Sequence, residues 1–82
     1  MSADTTRSDT DPALARLGQV VRELREKRGL SMEELAANCK IARWRLTRIE
    51  AGTLPSVDYG ELCKLRDALD IGLDDLARKA EL

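Results

Sequence analysis

The chain has 82 residues, 43% hydrophobic, 35% charged and only 2% aromatic, with a formal net charge of −1 and no histidine. That length holds one small domain, burying about 60% of its unfolded surface; with no histidine to join Cys39 and Cys63, a zinc site of ordinary ligand spacing is excluded. No apolar run approaches the roughly 18 residues of a membrane span, and no secretory h-region stands at the N-terminus, so the sequence reads as cytoplasmic.

Residues 1–13, MSADTTRSDTDPA, are polar without an apolar period and are expected to form a disordered arm, leaving 14–80 as the folded domain. Leu14, Leu17, Val21 and Leu24 then fall at i, i+3, i+7 and i+10, which predicts an amphipathic helix ending near Arg28. Gly29 suits the left-handed position beyond that end, and Leu30 can fold back onto the last turn. Ser31 and Glu34 make a capping box in front of Leu35 and Ala36, opening a short second helix that the stretch from Asn38 to Ile41 interrupts.

A third helix is expected from Arg43 to Ala51, with Leu46 and Ile49 inward and Gly52 as the stop. The turn LPS at 54–56 places Pro55 after a residue pushed to extended backbone. Its Ser56 is expected to cap a fourth helix carrying Leu62, Leu65 and Leu69. A last helix spans Leu73 to Lys79. No segment alternates with period two, so the fold class is all-α, a compact five-helix bundle. Its expected core is Leu14, Leu17, Val21, Leu24, Leu46, Ile49, Leu62, Leu65 and Leu69. The cysteines fit best as small buried hydrophobes, with a redox switch as the other reading.

The charge is unevenly placed. Residues 1–15 sum to −2, residues 16–48 carry nine bases and four acids for +5, and residues 49–82 sum to −4. A local positive field of this kind steers polyanions, although solvated helix faces account for charge alone equally well. Position separates the two. With Leu46 set toward the core and a step of about 100° per residue, Trp44 and Arg48 emerge on the opposite side. Arg43 and Thr47 flank them, and Arg45 sits toward the edge. The helix before this one is only a tight turn away, the layout of a helix-turn-helix. In that motif the second helix enters the major groove of DNA. Arginine suits guanine O6 and N7, threonine suits base edges or a thymine methyl, and an indole face can cover a methyl or a sugar. Lys40 and Arg45 would lie at the rim, where phosphates run. Trp44 has rival readings, as a satellite core residue or a subunit contact.

The stretches LGQVVRELREKRGLSMEELA (17–36), RLTRIEAG (45–52) and, more weakly, LPSVDYGELCKLRDALDIGLDDL (54–76) resemble the helix-turn-helix family of phage repressors, Cro and xenobiotic-response-element type regulators. They span residues 17–76, about three-quarters of the chain. The resemblance implies a lambda repressor-like DNA-binding domain. It implies base contacts at Arg43, Trp44, Thr47 and Arg48, and phosphate contacts near Lys40, Arg45, Thr53 and Ser56. It also implies a structural ion pair between Arg25 and Glu50, and a dimer contact through the last helices, with Ile71, Leu73 and Leu76 as apolar candidates. Three positions depart from the family pattern. Met32 stands where glutamine is usual, Lys40 where glycine is usual, and Ala42 where serine or threonine caps the third helix.

Enzymatic activity has no support: there is no nucleophile–base spacing, no glycine-rich phosphate loop and no metal or cofactor motif. The expected function is a homodimeric, sequence-specific DNA-binding transcriptional regulator, most simply a repressor on a dyad-symmetric operator. The rival is a protein-binding module, an antirepressor or regulator subunit, gripping another protein through the same face.

Overall fold

The computed structural model describes residues 12–81. Of the arm expected at 1–13, residues 1–11 lie outside the described residues. Pro12 and Ala13 are helical, so the first helix begins two residues earlier than its leucine stripe suggested. Proline at a first helical position needs no hydrogen bond and arrives with a helical φ. Five helices follow in order: α1 (Pro12–Lys27), α2 (Met32–Cys39), α3 (Arg43–Ala51), α4 (Tyr59–Leu69) and α5 (Leu73–Lys79). The described residues contain no strand.

Each end has a local cause. Beyond α1, the Gly29 amide donates to the Glu26 carbonyl and the Leu30 amide to the Arg25 carbonyl, with Gly29 at φ 70°, a Schellman closure. The Ser31–Glu34 capping box opens α2 as its sequence implied. The helix then continues through Asn38 and Cys39, which the sequence pattern had assigned to an interruption. Lys40 ends it in the left-handed region, φ 57° and ψ 38°, a conformation that glycine holds at lower cost. Ala42 precedes α3 with no side-chain cap. The start of α4 corrects the sequence reading: its N-cap is Asp58, paired reciprocally with Glu61, and Ser56 lies two residues upstream in the loop. Asp70, again left-handed, closes α4.

All five helices feed one core, whose most enclosed members are Leu17, Val21, Leu35, Leu46, Ile49, Leu65, Leu69 and Leu76. Full burial of each such side chain is worth about 1.5–3 kcal/mol. Leu14, Leu24 and Leu62, expected inside, are only partly buried and pack against its edge. The largest correction concerns Leu76. It is 1% exposed within the single chain, so it is a core residue and cannot supply a dimer contact. Cys39 is buried and Cys63 half-buried, and both are free thiols.

The tightest helix contact joins α1 to α3. A Cβ on Gly18 would lie 2.2 Å from the Ile49 carbonyl oxygen and 2.7 Å from that of Glu50. A Cβ on Gly52, which sits at φ 71°, would lie 2.8 Å from Ala15 Cα. Side chains at either position would push α3 off α1. At the other end of α1, Arg16 Nε donates to the Ala80 carbonyl at 2.9 Å and ties down the end of α5.

The left-handed lysine yields a test. Replacing Lys40 with Gly relieves the strained backbone, and urea unfolding should show a gain of about 1 kcal/mol; an unchanged or lower midpoint would mean that the turn is not strained.

Candidate nucleic-acid interface

The helix α3 buries Leu46 and Ile49 and turns Arg43, Trp44, Thr47 and Arg48 to the outside. Trp44 is 62% exposed, which removes it from the core. The Thr47 hydroxyl donates to the Arg43 carbonyl at 2.9 Å, a bond back along the helix that sets its rotamer. Arg43 reaches Glu33 of α2 at 3.3 Å, with both side chains exposed. Arg48 takes no carboxylate among the described residues; its guanidinium carbon lies 5.9 Å from the centre of the Trp44 ring. Residues four apart on a helix meet in this way, and a cation over an indole face is attracted by the ring quadrupole.

Arg45 behaves differently from its expected role. It turns inward to Glu61 of α4, with Nη2 donating to Oε1 at 2.8 Å and Nε donating to Oε2. A guanidinium held by both carboxylate oxygens is not available to a phosphate, so Arg45 is a clamp between α3 and α4 rather than a rim contact. Glu61 also accepts from the Asp58 amide at 3.1 Å. One carboxylate therefore holds α3 and the start of α4 together, and with them the loop 53–58 between. The hydrogen bonds from Arg45 hold the Glu61 carboxyl below its ordinary 4.5, outweighing the opposite pull of burial.

The role of Glu61 has a signal in the sequence, since D-x-x-E at 58–61 is itself a capping pattern, but its pairing with Arg45 has none.

Of the other rim residues, Lys40, Thr53 and Ser56 are exposed. The Thr53 amide donates to the Arg48 carbonyl at 3.1 Å and its hydroxyl to the same oxygen at 3.5 Å. Behind the surface, Arg25 and Glu50 meet side by side. Nε donates to Oε2 at 2.7 Å and Nη2 to Oε1 at 3.2 Å, with side chains 14% and 6% exposed. The third arm of Arg25, Nη1, donates to the Leu30 carbonyl at 2.9 Å. The guanidinium thus joins α1, the turn before α2, and the end of α3. Donating to the Glu50 carboxylate raises the Arg25 pKa above its ordinary value against the penalty of burial. Removing one partner of so enclosed a pair strands the other, at a cost of about 3–5 kcal/mol.

The described residues hold no group of histidine, cysteine or carboxylate side chains fit to bind a metal, and no helix among them is long and apolar enough to cross a membrane. The assembled face is instead a short cationic helix carrying one exposed indole. A helix-turn-helix family model matches residues 21–76. The chain is similar to the crystal structure of the restriction-modification controller protein C.AhdI from Aeromonas hydrophila, at 38% identity and a TM-score of 0.73, covering 77% of this chain and 94% of that one. It is also similar to two crystal structures of the clp gene regulator ClgR from Corynebacterium glutamicum. Both are 25% identical, with TM-scores of 0.77 and 0.78 over 84% of this chain and 88% and 72% of those. Among proteins of curated function, none matches.

The Arg45–Glu61 clamp has a pH signature. Because the folded-state pKa of Glu61 is depressed, its stabilisation is complete above the ordinary carboxylate value and is lost as pH falls through the lower folded one. Wild-type urea midpoints should therefore fall more steeply than those of Glu61→Gln as pH drops from about 5 to about 3; parallel curves would show that the clamp adds nothing.

Proposed function

The chain belongs to the helix-turn-helix family, a DNA-binding transcription regulator by that membership, and on this premise we propose that it acts as a homodimer reading a dyad-symmetric operator through α3. The observation that carries the reading is the outward face of α3. Arg43, Trp44, Thr47 and Arg48 stand exposed on a helix whose opposite side is locked to the core. Arginine and threonine have donors that match base edges in the major groove. Lys40, Thr53 and Ser56 supply the flanking contacts to phosphate, which position the protein without reading sequence. Arg45, committed to Glu61, is left out of that set.

One recognition helix offers limited discrimination, whereas two on a dyad read half-sites about 34 Å apart. With Leu76 in the core, the proposed dimer contact rests on Ile71 and Leu73, both half-buried, extended by Leu24. Leu24 and Ile71 line one surface groove together with Lys27, Arg28 and Asp70. Apolar centres ringed by charges of both signs can meet their own copy across a two-fold axis. Regulation by promoter occupancy in the cytoplasm, without enzymatic chemistry and without a cofactor, completes the proposal. Among the relatives by structure, one is a controller of a restriction-modification system and another a regulator of clp genes, which supports the regulatory reading.

Salt titration of binding to a duplex selected from a random pool tests the premise. Affinity should fall with a log–log slope near −0.9 per phosphate contact, and Lys40→Gly should flatten the slope by about one contact. No retardation of any duplex, or a flat response, would transfer the face to a protein partner. Separately, Ile71→Asp should convert dimers to monomers in sedimentation equilibrium while leaving the helical circular dichroism unchanged. Persisting dimers would place the contact on another face.

A further inference from the structure

The three arginines of α3 have three different partners. Arg43 is neutralised by Glu33 across the turn, and Arg45 is held by Glu61. Arg48 alone has no carboxylate among the described residues and lies over the face of Trp44. Attraction to the ring face uses the charge of the guanidinium and none of its N–H donors, which stay open. Charge and open donors coincide at Arg48, which is therefore the arginine of α3 best prepared to read a base.

Trp44 adds a second constraint. Carrying an exposed indole into the major groove places an apolar surface against base edges rich in donors and acceptors, and covering those edges without bonding to them is unfavourable. The groove has one apolar feature to match it, the 5-methyl group of a pyrimidine. Residues 44 and 48 lie about 6 Å apart along the helix axis, less than two base steps of about 3.4 Å each. A guanine met by Arg48 and a methyl met by Trp44 would thus lie within two base steps of each other.

We propose that Trp44 and Arg48 act as one unit that reads a 5-methylpyrimidine within two base steps of a guanine, Arg48 donating to guanine O6 and N7 while the indole covers the methyl. This rests on the major-groove reading of α3 given above, and deepens it by naming the chemical feature that is recognised. The unit is sensitive to the methyl itself. Thymine and 5-methylcytosine both present it, whereas uracil and cytosine do not. Trp44 has two tasks in this arrangement, holding the guanidinium in place and excluding water from the methyl.

The test uses the full chain and the duplex recovered from a random pool. Each thymine is replaced in turn by deoxyuridine, which deletes one methyl and leaves the pairing edges intact. One position per half-site, within two base steps of a guanine, should lose about three- to fivefold in affinity, the worth of one buried methyl. In a second arm that T·A pair becomes C·G, with and without a methyl at cytosine C5. The methylated duplex should bind tighter by a similar ratio. A gain confined to thymine over uracil would assign thymine as the natural source, and a gain in both arms would assign the methyl in either base. In Trp44→Ala, whose exposed position leaves the fold intact by thermal melting, the methyl dependence should vanish. Arg48→Lys, lacking the fork, should lose about tenfold or more at the guanine. Duplex binding that is flat in both arms, or a methyl effect that survives Trp44→Ala, overturns the proposal while leaving the major-groove reading in place. No binding to any duplex removes both.

Discussion

The carbonyl oxygens of Ile49 and Glu50 occupy the space where a side chain on residue 18 would begin. This close approach sets the position of everything on α3. With Gly18 beneath it and Gly52 seated against Ala15, the recognition helix lies directly on α1. Arg25 and Glu50 then lock its end, satisfying each other and the Leu30 carbonyl in a nearly closed space. Sterics set how close the two helices come, and the directional ion pair sets their register. A buried pair adds little net stability against a well-packed apolar alternative, but it strongly disfavours arrangements that leave it unmatched.

From that anchored back, the front of α3 follows. A short helix lacking an N-cap would fray in isolation, yet its first turn is held from both sides. Glu33 lies near Arg43, and Glu61 grips Arg45. The second contact explains why a face with three arginines is less positive than its sequence suggests. Two of the three are matched by carboxylates, and the remaining charge is concentrated at Arg48, over Trp44. Such a surface favours a specific orientation over general attraction to a polyanion.

The turn between α2 and α3 shows another trade. Lys40 occupies a left-handed backbone position at which glycine would be less strained. A lysine there places a flexible cation at the rim of the recognition face, where a glycine would offer none.

Periodicity made the helical plan legible. The ends of α3 and α5, the capping box of α2 and six of the core residues (Leu17, Val21, Leu46, Ile49, Leu65 and Leu69) could be read from spacing alone, because amphipathic stripes and caps are local signals. The outward set Arg43, Trp44, Thr47 and Arg48 was legible for the same reason: a helix with Leu46 and Ile49 buried has only one opposite side. Other features depended on partners distant in sequence. Arg45 lies sixteen residues from the carboxylate that captures it, and its place toward the edge of α3 did not reveal that partner. Leu76 has the same apolar character as Ile71 and Leu73, yet only the packing of α5 on the bundle decides which of them is enclosed. Gly18 looked like any other helical residue until α3 was laid across it. Local chemistry thus determined which segments are helices and which way each one faces. Tertiary packing decided which charges remain free and which apolar side chains remain uncovered, since both depend on distances between elements that no single stretch of sequence contains.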